Sequence, residues 1–144
     1  MEFEYSNEYA RAFGDLAERL FRVRFFPKEA VEGWRWLVNE VKNGYDDVPP
    51  EYDNDLDTTR DPLDTFLVDD TLNNFPDHET FKQFIQQLDR EFKELTQVHP
   101  KWEQDRRKWW NNRVPKYAGR EYVEFFHSDE LKKIGLSITL IDKQ

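Results

Sequence analysis

The chain contains no cysteine, one methionine and only five glycines among its 144 residues. Without cysteine there is no disulfide framework, no thiolate metal site and no cysteine nucleophile, and a reducing compartment is the simplest home. So few glycines leave no Gly-rich phosphate loop, so nucleotide binding lacks its usual signal. No apolar run approaches the roughly 18 residues that suggest a membrane span. The start, MEFEYSNEYARAF, is acidic and amphipathic, where a secretory signal needs a basic start and an apolar run. The expectation is a cytoplasmic protein that uses no membrane.

What the chain has in quantity is aromatic and acidic side chains. Aromatics make up 16% of it, with twelve Phe, six Tyr and five Trp. Each can remove roughly 150–250 Å² from water, so a core forms despite a hydrophobic fraction of only 38%. The length suits one domain spanning residues 1–144.

The net charge is −9, and it is local. Ten acids (Asp46, Asp47, Glu51, Asp53, Asp55, Asp57, Asp61, Asp64, Asp69 and Asp70) and a single base, Arg60, give the stretch 46–70 the charge of the whole protein. The remainder carries 20 acids and 20 bases. Pro49, Pro50 and Pro62 together with many Asp predict an acidic loop at about 45–70, with a short strand over Thr65–Val68 at its end.

Around that stretch the periodicity is mostly helical. Tyr9, Phe13, Leu16 and Leu20 share one face. Phe21, Val23 and Phe25 alternate with arginines and fit either a strand or a continued helix. Pro27 opens a second helix with Val31, Trp34, Leu37, Val38 and Val41 as its stripe, and Gly44 closes it. Trp36 falls off that stripe and is expected to pack against another element, or else to show its ring to a partner.

The clearest helix follows Pro76, with Asp77 as its N-cap and Phe81, Phe84, Ile85, Leu88, Phe92 and Leu95 on one face. Residues 102–113 predict a further helix with Trp102, Arg106, Trp109 and Arg113 on one side. Tyr122–Phe126 and Leu136–Ile141 read as two strands able to pair. The expected fold class is α+β, a predominantly helical single domain with a small sheet near the C-terminus.

Four kinds of chemistry compete for the acidic stretch. Asp53, Asp55, Asp57, Thr59, Asp61 and Asp64 occupy positions 1, 3, 5, 7, 9 and 12 of an EF-hand window. That window has Thr58 where the loop needs Gly, Asp64 where a bidentate Glu is usual, and prolines at both flanks, so no metal ligand is assigned. Paired-carboxylate catalysis needs an apolar pocket to raise one pKa, which a hydrophilic loop does not offer, and no catalytic residue is assigned. The three histidines, His78, His99 and His127, are scattered and read as capping, surface or turn residues.

RRKWWNNR (Arg106–Arg113) interleaves bases and aromatics as single-strand binders do, yet a pI near 4.9 opposes direct nucleic-acid contact. The bland alternative is that this basic segment, within a stretch of net +5 over residues 99–120, pins down part of the acidic stretch. The fourth chemistry is a basic partner protein, steered and held by the acids. Tyr45, Tyr52 and Trp36 would then be aromatic anchors beside them. The alternative is a structural or regulatory subunit whose acidic loop docks on another protein. Neither needs a cofactor.

The closing residues, DELKKIGLSITLIDKQ (Asp129–Gln144), resemble the end of barstar-type inhibitors, where a helix runs into a short strand. None of that family's binding residues has a counterpart to carry over. More broadly, a small, acidic, aromatic-rich, cysteine-free α+β chain resembles the immunity proteins of bacterial toxin systems, including contact-dependent growth inhibition. The resemblance implies an inhibitor of a basic protein toxin, with a nuclease as the expected class, blocked at its substrate site.

Overall fold

The computed structural model describes residues 3–101, 108–126 and 132–141. Seven helices and four short strands follow one another within them: α1 (Asn7–Phe21), α2 (Pro27–Lys42), α3 (Pro49–Thr59), α4 (Leu63–Leu67), α5 (Asp70–Asn73), α6 (Pro76–Leu95), β1 (Thr96–Val98), β2 (Arg113–Pro115), β3 (Tyr117–Ala118), α7 (Arg120–Phe125) and β4 (Thr139–Leu140). The class is mainly helical α+β with its small sheets toward the C-terminus, as the composition predicts.

The framework is the packing of α2 along α6. Each helix lays one apolar stripe into the seam. Val31, Trp34, Leu37, Val38 and Val41 face Phe81, Phe84, Ile85, Leu88 and Phe92, and Trp34 meets Phe92 at a ring distance of 5.0 Å. α1 adds Tyr9, Phe13, Leu16 and Ala17, with Phe13 stacked on Phe66 of α4 at 4.1 Å.

Helix ends follow local chemistry. Ser6 caps α1 by accepting the Tyr9 N–H at 3.1 Å, and Arg22 ends it in the left-handed region at φ 64°. The chain therefore turns after Phe21, and residues 22–26 are neither a strand nor a continued helix. Pro27 stands in the first turn of α2, and Gly44, at φ 90°, releases the chain after it. The N-cap of α6 is Phe75, not Asp77. Asp77 instead accepts from both the backbone N–H and the hydroxyl of Ser6, each at 2.9 Å, so the starts of α1 and α6 are tied together.

The expected acidic loop is helical instead. Pro49 and Pro50 fill the first turn of α3, where a missing N–H costs no helical bond. Tyr52, Leu56 and Arg60 then recur every four residues on a buried face, and Leu63 and Phe66 continue it into α4. The same helix replaces the strand expected over Thr65–Val68.

Two more strand expectations change. Tyr122–Phe126 falls in α7, whose buried residue Tyr122 is needed on one helical side. The real pairs are β1 with β2, antiparallel with Gln97 opposite Val114, and β3 with β4, parallel with Ala118 opposite Leu140. Tyr45 bridges Ala118 from the other edge. Of the helix expected at 102–113, Trp102 and Arg106 lie outside the described residues, Trp109–Asn112 form turns, and Arg113 opens β2.

Candidate functional site

Inside the acidic stretch the only base is its anchor. Arg60 is 3% exposed. Its Nε and Nη2 donate to the two oxygens of Asp89 on α6 at 2.9 and 3.0 Å, and its Nη1 donates to Asp64 at 3.0 Å. The Trp34 indole N–H also donates to Asp89, at 3.0 Å, and the guanidinium lies 4.3 Å from the Trp110 ring centroid. A two-pronged pair under an indole ring fixes α3 and α4 to the core in one register.

The basic segment contributes as the bland reading has it. Lys108 lies 3.5 Å from Asp61 and 3.9 Å from Asp64. Trp110 is buried, and Arg113 spends its guanidinium on Thr96 and the Lys93 carbonyl. Arg106 and Arg107 lie outside the described residues.

With the anchor in place, the remaining acids separate into groups. Asp69 caps α5 by accepting from the Leu72 N–H. Asp57 and Asp61 line a groove near the C-terminal end of α3. Asp70 is exposed at the start of α5, and Asp53 is half-buried on α3. Steps of two residues turn a helix by about 200°, so Asp55 lies on the opposite side of α3 from Asp53 and Asp57, and the EF-hand window has no loop to close. Among the described residues no three histidine or carboxylate side chains are arranged so that they could hold one metal ion.

The largest convergence is a cleft of about 260 Å³ between the C-terminal half of α2 and the N-terminal half of α3. Trp36 and Glu40, one helical turn apart, form one wall, and Glu51 and Asp55, also one turn apart, form the other. Tyr45, Asp46 and Asp47 close the end. Five carboxylates line it among the described residues, and no base does.

Three of those carboxylates accept hydrogen bonds, Asp47 from the backbone N–H of Val48 at 2.7 Å. Asp55 accepts from the Tyr45 hydroxyl at 2.5 Å. Asp46 accepts from the backbone N–H of Glu121, at the start of α7, at 3.0 Å. Its carboxylate presses on the face of Gly119, where a Cβ would collide with it. Beside these fixed points Glu51 is exposed and Glu40 half-buried.

Tyr45 and Tyr52, expected as surface anchors, are 3% and 1% exposed. They pack edge to face with each other and with Tyr122 at ring distances of 5.2 to 6.0 Å, so the ring of Tyr45 at the end of the cleft is backed by a buried aromatic cluster. Burial first, then the bond to Asp55, raises the Tyr45 hydroxyl well above its ordinary pKa, so it stays a donor. Trp36, expected to be packed away, is 49% exposed at the rim. Its neighbours on α2 have already filled the seam with α6, and the ring is left over.

Glu40 was not singled out by the sequence. Its signal is the four-residue spacing from Trp36. Histidines play no part in the cleft: His78 and His99 are buried, contrary to the surface or capping expectation, and His127 lies outside the described residues.

No family model matches the chain, and neither a curated protein nor a solved structure matches it.

Proposed function

We propose that the chain is a binding protein whose acidic cleft receives Arg or Lys side chains of a strongly basic partner, and that it acts as an immunity-type inhibitor of a basic toxin, a nuclease being the class whose phosphate-binding surface such acids can occupy. The observation that carries this reading is the cleft itself: five carboxylates without a base, edged by a half-exposed tryptophan. Like charges lining one cleft repel one another, and a cation from outside relieves the repulsion. Trp36 beside them supplies the aromatic contact that protein interfaces favour.

Order strengthens the reading. Carboxylates on helices anchored through Arg60 lose less freedom on binding than carboxylates on a mobile loop. The alternative in which the stretch is a solvated insertion conflicts with Tyr52, Leu56, Leu63 and Phe66, which sit in the core. No helix among the described residues is long and apolar enough to cross a membrane. The proposed setting is the cytoplasm, where an immunity protein meets an incoming toxin.

The test is a titration of the captured basic partner against the wild type and against E40Q/D47N/E51Q. The reading expects weaker binding by the variant and a flatter dependence on salt, since exposed charges beyond about 10 Å are screened at 0.1 M. Equal affinity and equal salt dependence would remove the cleft from the interface.

A further inference from the structure

A second concavity opens at the other end of the same seam. This groove of about 620 Å³ is walled by Phe21 at the end of α1 and by Val23 and Phe25 of the connection to α2, with Ala30 and Gly33 of α2 opposite Leu63. Of these, Phe21 and Val23 are substantially exposed. Exposed apolar groups gathered at a concavity mark a binding surface more often than isolated ones do. Its rim is charged: Glu29, Asp57 and Asp61 stand against Lys108, which is already engaged with Asp61.

Gly33 is the second observation. The chain has two glycines inside long helices, and they differ. At Gly14 a Cβ would come within 2.9 Å of the Arg24 guanidinium, the flexible end of a side chain that lies over that glycine. At Gly33 nothing described lies within 4 Å of where a Cβ would be, although glycine is a poorer helix former than alanine. The bare backbone therefore serves no internal packing and opens onto the groove.

The groove and the acidic cleft share one stripe of α2. Glu29, Gly33, Trp36 and Glu40 follow at steps of four, three and four, all on one side of the helix. Eleven residues of rise place the ends of that stripe roughly 16 Å apart. An extended segment of about five residues covers that length at roughly 3.3 Å each.

We infer that the groove over Gly33 receives an aromatic or long aliphatic side chain from an extended basic segment of the partner, whose Arg or Lys residues lie along Asp57 and reach the acidic cleft at the far end of the seam. The inference rests on the acidic-cleft reading and adds the apolar half of the recognition. Charge complementarity chooses the occupant: the mouth is apolar, but among the described residues that line it the acids outnumber the base.

Two synthetic peptides of about six residues, identical except for tryptophan or serine at the end opposite two arginines, test this by amide chemical-shift titration. The tryptophan peptide is expected to bind at least about tenfold more tightly, the factor that burial of one large apolar side chain supplies. Its shifts should include Ala30, Gly33, Thr58 and Leu63. G33L, which fills the groove and should raise the thermal midpoint, is expected to bring the tryptophan peptide down to the affinity of the serine peptide.

Equal affinities, or shifts confined to Glu40, Asp47 and Glu51, would overturn the groove and leave the cleft reading standing. Failure of both peptides to bind at low salt would overturn both. Concentration-dependent self-association abolished by G33L would make a second copy the occupant, and tighter peptide binding after replacing residues 102–107 by Gly and Ser would make that segment the occupant. Either result would overturn the proposal.

Discussion

Replacing Arg60 by methionine keeps the length of the side chain and removes its charge. The guanidinium is 4% exposed and Asp89 16%, so the pair exchanges little with water. R60M leaves the Asp89 carboxylate with Trp34 as its one remaining partner among those it has here. Breaking a buried pair by removing one member costs about 3–5 kcal/mol. Loss of the contact with Trp110 is contained in that figure and is not added to it. Against a typical domain stability of about 5–15 kcal/mol, R60M is among the most damaging single changes available.

R60K keeps the charge without the fork and should lose about 1–3 kcal/mol. D64N removes the more exposed partner, 45% accessible, and should lose no more than about 1 kcal/mol. The assay is urea unfolding followed by far-ultraviolet circular dichroism, with free energies from linear extrapolation. A loss below about 1 kcal/mol for R60M, the range of an exposed ion pair, would refute the anchor argument.

W36A should change stability by no more than about 0.5 kcal/mol, because its ring is left over from the core, while weakening the partner by at least about tenfold; thermal melting and partner titration read the two separately. G119A should lose about 1–3 kcal/mol by displacing the Asp46 carboxylate from the start of α7, with the Glu121 amide shift reporting the displacement. His78, 2.7 Å from the Tyr9 hydroxyl through Nδ1, has its pKa lowered first by burial and then by Lys82. The weaker opposing influences are the Leu67 and Phe66 backbones and Asp69. The unfolded chain then takes up the proton first, so stability should fall as pH drops below about 6.5 and level off beneath the folded-state pKa. H78Q should flatten that part of the pH profile, and an unchanged slope would exclude His78 as its source.

The framework of the fold is legible where apolar spacing is unbroken. Val31 to Val41 and Phe81 to Phe92 name the two central helices without help, and Pro27, Gly44 and Pro76 mark their ends. The acidic stretch is harder because its stripe is sparse. Tyr52, Leu56, Leu63 and Phe66 keep helical spacing, but one member of the series is Arg60, and a buried cation does not register as apolar. Pro49–Pro50 is ambiguous by nature, since the residue that breaks a helix interior also suits its first turn. A lone base among ten acids was the available clue to an anchor.

Tyr122–Phe126 shows the opposite error. Aromatic and β-branched residues favour strands only where a sheet surface receives them, and here Tyr122 is received by Tyr45 and Tyr52. For the site, the acids and Trp36 were legible as residues but not as a place. Only the antiparallel run of α2 and α3 brings Trp36 and Glu40 opposite Glu51 and Asp55, and the same packing moves Tyr45 and Tyr52 from the expected contact surface into the core.

Parallel affinity capture from a lysate of the organism that encodes the chain, on immobilised wild type and on E40Q/D47N/E51Q, at low and at high salt, tests the acidic cleft most directly. The account predicts a basic protein held by the wild type at low salt, released or held less tightly at high salt, and lost from the variant. The same proteins on both columns, or none that is basic, would contradict it.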